Sequence, residues 1–361
     1  MTGKDLTIKE QYPLGGLTTF GIGGPARYFA VVTSEEEARE ALAFARHKGI
    51  ETFVLGGGSN ILISDQGFPG LVILNGIKGF TSRPAAGEDD EVLVTAGAGE
   101  DWDGFTRRCI ESNLQGIECL SGVPGTVGAA PVQNIGAYGQ SADSVVEQVR
   151  ALEVAAGRAV IFTNQECSFG YRKSLFNSIA AGRYLIVEAT FKLKQNGAPS
   201  VTYHDLKAAL SGLPDPTLQQ VREAVLKIRE GKGLLALDGY ERFKSAGSFF
   251  KNPVVSAEHF TGVEEAVRKA GGCANWSWPQ RSGEVKVSAA CLIQSAGFVR
   301  GFRKGNVGIS PRHTLAVINY GDATAGEVAA FARQVQEAVL RQFGVVLKPE
   351  VQFVGFTPDL L

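Results

Sequence analysis

The feature of the sequence that most limits its fold is the clustering of its glycines. Forty-five of the 361 residues are glycine. Glycine lets the backbone approach a neighbouring group closely and adopt conformations that other residues avoid. The clusters therefore predict loops that lie against another segment of the chain or against a ligand. They lie at 15–24, 56–58, 97–104, 122–139 and 231–247.

The longest cluster lies in SGVPGTVGAAPVQNIGAYGQ, residues 121–140. This segment holds five glycines, two prolines and no charged residue. A structureless loop of this length is either functional or disordered, and its apolar residues argue against disorder. We expect an apolar cofactor ring against its backbone; the alternative is an unusual buried core loop. The apolar residues are Val123, Val127, Val132, Ile135 and Tyr138.

A second cluster, GGGSN at 56–60, lies between two apolar segments that predict strands, TFVL and ILIS. Consecutive backbone N–H groups, with the Ser59 hydroxyl and the Asn60 amide, form an anion nest for a pyrophosphate. The alternative is a plain hairpin loop. A Rossmann turn is excluded here and in GIGGPA at 21–26, because a strand instead of a helix follows each.

Charge excludes several classes of partner. The chain has 36 Lys and Arg against 37 Asp and Glu, without a run of one sign, so we expect no nucleic-acid partner. No apolar run approaches the roughly 18 residues that span a bilayer, so we expect no membrane insertion. The N-terminus has no apolar core, which argues against a signal peptide.

The cysteines and histidines predict neither disulfides nor metal. The cysteines are odd in number and form no C-x-x-C pair, so we expect reduced, mostly buried thiols and a cytoplasmic protein. The four histidines show no ligand spacing, which argues against a metal site. The cysteines are Cys109, Cys119, Cys167, Cys273 and Cys291.

The hydrophobic periodicity predicts an α+β protein. A strand at 26–32, a helix from the Ser34–Glu37 capping box to Gly49, and strands at 52–55 and 71–74 indicate a parallel unit. Residues 81–91 predict a loop, residues 145–194 mostly strands, and residues 217–230 a helix. A final helix starts at the Thr324–Glu327 capping box, ends at Gly344, and is followed by a closing strand.

Six motifs, in order, resemble the UDP-N-acetylenolpyruvoylglucosamine reductase family, the flavoenzymes of bacterial peptidoglycan precursor synthesis. The resemblance runs from Thr18 to about Gly355. It implies a two-part FAD-binding region of the vanillyl-alcohol-oxidase (p-cresol-methylhydroxylase) type and a smaller α+β substrate domain. TYHDL at 202–206 resembles the subgroup with a tyrosine-bearing substrate loop. The motifs are TTFGIGGPAR, VLGGGSNIL, VPGTVGAAPVQNIGAYG, FGYRKSLF, GSFFKNP and LKPEVQFVG.

The resemblance also implies a domain division. We expect the two FAD-binding subdomains at 1–82 and 83–228 and the substrate domain at 229–320. Residues 321–361 are expected to form a helix and strand that pack back on the FAD-binding region.

The resemblance implies noncovalent FAD as cofactor and NADPH as hydride donor, since no histidine or cysteine lies at an evident flavin-attachment position. One departure is Gly57, where many relatives carry a larger residue, and a nest built from backbone should tolerate it. The expected cofactor-binding residues are Gly56, Gly57, Gly58, Ser59, Asn60, Pro124, Gly125, Gly128, Asn134, Gly136 and Tyr138.

Three residues are expected to catalyse the reduction of an enolpyruvyl ether. Arg172 in FGYRKS would hold the substrate carboxylate bidentately and stay charged; the alternative is a surface ion pair. Glu350 in LKPEVQF would help set the charge of the enolate; the alternative is a solvated residue at a strand end. Ser248 in GSFFKNP would give a proton to the α-carbon, because a weak acid suffices for so strong a base.

The substrate diphosphate is expected to contact Tyr203, Arg229, Lys232 and Asn252. Tyr203 has the alternative of a packed strand residue, and Arg229 that of a residue that ends its helix favourably. We expect a monomer whose partners are small molecules. Two other functions stay open, a flavin oxidase of the same fold and a nucleotide-sugar binding protein without activity.

Overall fold

The computed structural model describes residues 6–87, 90–237, 239–240 and 243–357. Its eight α-helices are α1 Glu35–Lys48, α2 Trp102–Glu111, α3 Ala129–Gln133, α4 His204–Ala209, α5 Leu218–Gly231, α6 Ala257–Lys269, α7 Ala289–Ser295 and α8 Ala325–Phe343 within these described ranges. No helix of this part of the chain is long and apolar enough to cross a membrane.

The strands of the same ranges confirm an α+β protein. They are β1 Ile8–Pro13, β2 Pro25–Val32, β3 Thr52–Leu55, β4 Ile61–Ile63, β5 Phe68–Asn75, β6 Phe80–Pro84, β7 Glu91–Gly97, β8 Leu114–Gln115, β9 Gly136–Ala137, β10 Gln140–Ser141, β11 Val146–Glu153, β12 Ala159–Thr163, β13 Tyr184–Gln195, β14 Lys244–Ser248, β15 Val254–Val255, β16 Ser277–Pro279, β17 Val285–Val287, β18 Arg303–Lys304, β19 Val307–Ile309, β20 Ala316–Asn319 and β21 Gln352–Val354.

The first sheet has the order β1-β2-β5-β3, and β5 pairs in parallel with both β2 and β3. This confirms the predicted parallel unit. Helix α1 begins as expected, because the Ser34 hydroxyl accepts from the N–H of Glu37. The Glu37 carboxylate accepts from the N–H of Thr33 instead of that of Ser34, so the box closes one residue earlier. Gly49, at φ 63°, ends the helix.

The second sheet is antiparallel, with the order β12-β11-β13-β7-β6, and β8 pairs with β13. The predicted loop at 81–91 is wrong at its start, because β6 extends through Pro84 and pairs with β7. This edge strand is mostly exposed and polar. An edge strand tolerates both polar residues and a terminal proline, so its sequence looks like a loop. The predicted boundary between residues 82 and 83 lies within β6.

The C-terminal part has two small antiparallel sheets, β14-β20-β19-β18 and β15-β17-β16. Helix α8 covers their shared core and begins at the predicted capping box, in which Thr324 and Glu327 bond each other's N–H groups. The closing strand β21 pairs in parallel with β4. It therefore returns the chain end to the GGGSN turn, which directly precedes β4.

The segment 121–140 is not structureless throughout. Residues 129–133 form α3, and Asn134 ends it in the left-handed conformation at φ 43°. Pro131 fits because the first residues of a helix have no intrahelical acceptor for their N–H groups. A five-residue helix leaves no periodic signal in the sequence, which is why the pattern indicates only a loop.

The prediction that all cysteines are reduced is wrong for two of them. Cys273 and Cys291 form a disulfide with their Cα atoms 6.1 Å apart. They lie 18 residues apart, and only the fold brings them together. The other three are free and buried as expected, and burial raises the pKa of each thiol to about 12. The disulfide removes part of the argument for a cytoplasmic location.

Candidate active site

A cleft of about 710 Å³ contains the residues expected to be catalytic. Arg172, Ser248 and Glu350 come from three distant segments and all line it. Its other walls come from the glycine-rich segments at 15–21, 57–60, 123–137, 229–236 and 243–247. The volume lies within the range of sites for cofactors and drug-sized ligands.

The two glycine loops form one wall of this cleft. The Ser59 hydroxyl donates to the carbonyl of Pro124 at 3.2 Å. A Cβ on Gly57 would lie 2.7 Å from Cα of Gly125, so a larger residue at 57 requires the facing loop to move. The GGGSN turn is no hairpin, because β3 and β4 pair in different sheets. The backbone of the GGGSN turn therefore does not join two paired strands, and it lines the cleft.

Arg172 and Glu350 form the charged pair of the cleft. Nε of Arg172 lies 2.8 Å from Oε1 of Glu350, but its N–H is not directed at that oxygen and donates no hydrogen bond to any described residue. The other guanidinium nitrogens donate to the carbonyls of Gly136 at 2.6 Å and Asn134 at 3.4 Å. The Gln133 amide donates to Glu350 at 3.3 Å. The site therefore holds a buried cationic N–H without an aligned acceptor, which suits a carboxylate ligand.

Glu350 is placed by a short antiparallel ladder. Its N–H donates to the carbonyl of Phe249 at 2.8 Å, and the N–H of Lys251 donates to that of Lys348 at 2.9 Å. The amide of Asn60 donates to the carbonyl of Glu350 at 3.1 Å. This ladder joins the glutamate to the segment of Ser248 on one side and to the GGGSN turn on the other.

Ser248 ends β14 opposite Ala316 of β20. Gly247, before it, has a φ of 70°, a conformation that side chains disfavour. Phe249 and Phe250, after it, are 0% and 1% exposed, and their rings pack 5.1 Å apart. Two buried aromatic rings and a backbone ladder thus hold the serine at the cleft wall, with little freedom to move.

Among the expected diphosphate contacts, Arg229 lines the cleft, whereas Tyr203 and Lys232 do not line it. The Tyr203 ring packs edge-on against Tyr138 at 5.6 Å. The ammonium of Lys232 lies 2.6 Å from Oδ2 of Asp205 and 5.6 Å from the centre of the Tyr138 ring. Arg229 is buried and donates to the carbonyls of Gly122 and Leu234 at 3.0 and 2.8 Å. Arg229 thus braces the glycine loop, whereas Lys232 and Tyr203 are partly exposed.

Three predicted residues are engaged elsewhere in the structure. The side-chain Oδ1 of Asn252 accepts from the N–H of Ala289 and so holds the start of α7. The Asn134 amide bonds the carbonyl of Gly170 and the N–H of Asp143. Tyr138 packs with Tyr203 and not at the cleft wall. These contacts support the turns around the site.

Sequence reasoning missed His313. Burial, with the cationic groups of Lys232, Arg300 and Arg229 acting in the same direction, lowers the pKa of its imidazole to about 4. The imidazole is therefore neutral at pH 7 and offers a hydrogen bond beside the cations. A lone histidine in SPRHTL gave no signal, because its neighbours come together only in the fold.

Two family models match the chain. One describes an FAD-binding domain, at residues 26–163, and the other the C-terminal domain of UDP-N-acetylenolpyruvoylglucosamine reductase, at residues 238–354. The reductase of Thermobifida fusca is 39% identical over 97% of this chain and 99% of its own length. That of Pseudomonas aeruginosa is also 39% identical, over 96% and 98%. The chain belongs to the UDP-N-acetylenolpyruvoylglucosamine reductase family.

A solved structure agrees with this family. The crystal structure of the Thermus caldophilus reductase matches with a TM-score of 0.63 and 25% identity, over 97% of this chain and 98% of its own. The expected FAD-binding region followed by a separate C-terminal domain is therefore confirmed. As a member of the reductase family with this domain, the protein is a FAD-dependent oxidoreductase.

The reductase cleft fits FAD. Gly58 has a φ of 62°, and a Cβ there would lie 1.9 Å from the carbonyl oxygen of Leu17. Only glycine therefore allows the GGGSN turn to pack this closely against the segment of Leu17. A second cavity of about 190 Å³ lies across the GGGSN turn and extends the space for an elongated ligand. The predicted residues that line one or both cavities are Gly56, Gly57, Gly58, Ser59, Asn60, Pro124, Gly128 and Gly136.

Proposed function

We propose that this oxidoreductase reduces UDP-N-acetylglucosamine enolpyruvate to UDP-N-acetylmuramate with NADPH, as a step of peptidoglycan precursor synthesis. The observation that carries the proposal is the meeting of Arg172, Ser248 and Glu350 in one cleft with both glycine loops. A binding protein without activity has no need for this combination. Bound FAD supplies the redox chemistry, carrying two electrons from NADPH to the enolpyruvyl group.

Arg172 binds the substrate carboxylate in this proposal. Its Nε–H has no aligned acceptor among the described residues, and a guanidinium stays charged throughout the reaction. As electron density moves onto the carboxylate in the enolate, a fixed cation stabilises that charge without reorganisation. Glu350, paired with Arg172 at 2.8 Å, fixes the position of the guanidinium and adds the second polar group at the reacting carbon.

Ser248 gives the proton to the α-carbon. The serine lies on a rigid strand end at the cleft wall, so its hydroxyl needs little reorganisation to meet the substrate. An enolate carbon is a strong base, and a positioned weak acid is enough for it.

The finer predictions belong to the same proposal. Tyr203, from the tyrosine-bearing loop, and Lys232, from the end of α5, meet the substrate diphosphate, with Arg229 and Asn252 as bracing neighbours. No histidine or cysteine is found among the described residues that line the two cavities, which supports noncovalent FAD. We propose a cytoplasmic monomer with the domain division given above; gel filtration of the purified protein tests the monomer.

Anaerobic mixing of the purified holoprotein with NADPH, then with UDP-N-acetylglucosamine enolpyruvate, tests the function. NADPH should bleach the flavin absorbance, and the enolpyruvyl substrate should restore it with formation of UDP-N-acetylmuramate. Recovery of the colour only on admission of oxygen would indicate a flavin oxidase. Absence of flavin absorbance would indicate a binding protein.

Ser248→Ala separates the two halves of the reaction. The variant should be reduced by NADPH at the wild-type rate, because no proton is needed at the α-carbon in that half. Its reoxidation by the enolpyruvyl substrate should slow by roughly 100-fold or more, the usual contribution of a general acid. Ser282→Ala, which removes an exposed hydroxyl bonded to Glu284, is the control. Equal rates of both halves in Ser248→Ala and wild type would refute the assignment.

A further inference from the structure

We propose that Lys251 is a positioning residue that holds Arg172 in place for the substrate carboxylate and couples it to the strand end that carries Ser248. The proposal rests on the proposed function, because it assigns Lys251 to the same carboxylate site. Lys251 lies three residues after Ser248 and does not line the cleft, so it acts through Arg172 and not on the substrate.

The first observation is a hydrogen bond to a strained residue. Nζ of Lys251 donates to the carbonyl of Arg172 at 3.3 Å. Arg172 has a φ of 53°, in the left-handed region that a long side chain rarely adopts. Such a conformation costs about 1–3 kcal/mol and persists only where several contacts fix it. The Asn177 amide donates to the same carbonyl at 3.3 Å, so two side chains hold this peptide.

The second observation is the anchor of Lys251 itself. Its N–H bonds the carbonyl of Lys348, and the next rung of the same ladder bonds Glu350 to Phe249. The side chain of Lys251 then crosses from this ladder to the turn of Arg172. A shift of the ladder therefore moves Ser248, Glu350 and the support of Arg172 together, which keeps their spacing constant.

The third observation is an excess of positive charge. Lys251 faces Arg172, Glu350 and Lys348, and burial lowers its pKa, with Arg172 and Lys348 acting in the same direction and Glu350 against it. Next to this group, the ammonium of Lys286 lies 3.5 Å from the centre of the Tyr171 ring. Burial and Arg172 also lower the pKa of Lys286.

This excess indicates a role other than stability. Burial and the neighbouring cations disfavour the charged form of Lys251, and these costs offset the stability that its hydrogen bond to the carbonyl of Arg172 contributes. The presence of the Lys251 ammonium is explained if these cations form a binding site for an anion and if that site needs Arg172 in a fixed position. Loss of the ammonium should therefore impair the enolpyruvyl half of the reaction without lowering the stability of the protein.

Lys251→Met tests this, because methionine keeps most of the aliphatic stem and removes the ammonium. Displacement of Arg172 should raise the KM for the enolpyruvyl substrate and slow flavin reoxidation, together by about 10- to 100-fold. Flavin reduction by NADPH and the Tm of the holoprotein should match wild type. Lys251→Arg, which keeps a charged donor, should recover most of the reoxidation rate. Lys173→Met, which removes an exposed lysine from the same turn, is the matched control.

The outcomes separate the two proposals. Suppose that the wild-type protein completes both half-reactions. An unchanged rate of flavin reoxidation in Lys251→Met would then overturn the role of Lys251 but not the proposed function. A lowered Tm together with equal losses of rate in both half-reactions would show that Lys251 is a merely structural residue. No recovery of the reoxidation rate in Lys251→Arg would show the same, and either result would overturn the positioning role. A wild type that does not respond to the enolpyruvyl substrate would instead refute the proposed function, and this inference with it.

Discussion

The buried ion pair of Asp103 and Arg222 gives the most quantitative prediction about the glycine loop. The two guanidinium nitrogens of Arg222 each lie 2.7 Å from a carboxylate oxygen of Asp103, and both residues are 6% exposed. Asp103 also accepts from the N–H of Gly122 at 2.6 Å, and Arg229 holds the carbonyl of that glycine. The pair thus joins α2 and α5 to the start of the loop that lines the cleft.

Arg222→Met should lower the free energy of unfolding by about 3–5 kcal/mol, because it leaves a buried carboxylate without its counterion. Asp103→Leu should lower the free energy of unfolding by a similar amount, since it leaves the buried guanidinium of Arg222 without its counterion. The double variant removes both charges and leaves chiefly the N–H of Gly122 without an acceptor, which costs about 1–3 kcal/mol. The double variant should therefore be more stable than either single variant.

Urea unfolding of the three variants and wild type measures these free energies. Trp102 lies in α2, is 1% exposed and precedes Asp103, so its fluorescence reports on this unit. Trp276→Phe and Trp278→Phe in the background remove the other two signals. The reasoning is refuted if each single variant costs less than about 1 kcal/mol, or if the double variant costs the sum of both.

The pH dependence of stability checks the same pair. Burial raises the pKa of Asp103, but the bonds from Arg222 and Gly122 outweigh it, so the net pKa is lowered from 3.8. A carboxyl whose folded-state pKa is lowered stabilises the fold above its unfolded pKa and loses that contribution as the pH falls through the folded value. Wild type should thus lose stability below about pH 4 more steeply than the double variant, which lacks the carboxyl.

Two further predictions concern the glycine loops and the disulfide. Gly58→Ala should weaken FAD binding and lower the stability by at least about 1–3 kcal/mol, because its Cβ would lie 1.9 Å from the carbonyl of Leu17. Gly212→Ala, whose Cβ meets no atom within 4 Å and which lines neither cavity, is the control for FAD titration and Tm. Cys273→Ser with Cys291→Ser should lower the free energy of unfolding by about 3 kcal/mol, the loop-closure term for this spacing. Equal urea midpoints of oxidised wild type and the double serine variant would contradict it.

The predictions that held depend on local chemistry. The capping residues Ser34 and Thr324 fix the starts of α1 and α8, because a side-chain oxygen satisfies an N–H three residues away. The same holds for Gly49 and Gly344, both left-handed at the helix ends. Such signals need no knowledge of the fold, so the sequence is enough for them.

The predictions that failed depend on contacts between distant segments. The edge strand β6 forms because β7 offers a partner, and its own polar residues indicate a loop. The pairing of Cys273 with Cys291 needs α7 beside the loop after α6. The lowered pKa of His313 depends first on its burial and then on the nearby cations of Lys232, Arg300 and Arg229. No local pattern carries any of these.

Backbone strain occurs beside the cleft, at residues where local rules of conformation do not predict it. Asn134, Tyr138 and Arg172 have φ values of 43°, 48° and 53°, where rules of local preference predict glycine. The guanidinium of Arg172 donates to the carbonyls of Asn134 and Gly136, so these strained turns support one another. Strain of this kind persists only where several contacts fix it. A change of backbone conformation at Asn134 or Gly136 should therefore disturb the position of the Arg172 guanidinium, the group that we propose binds the substrate carboxylate.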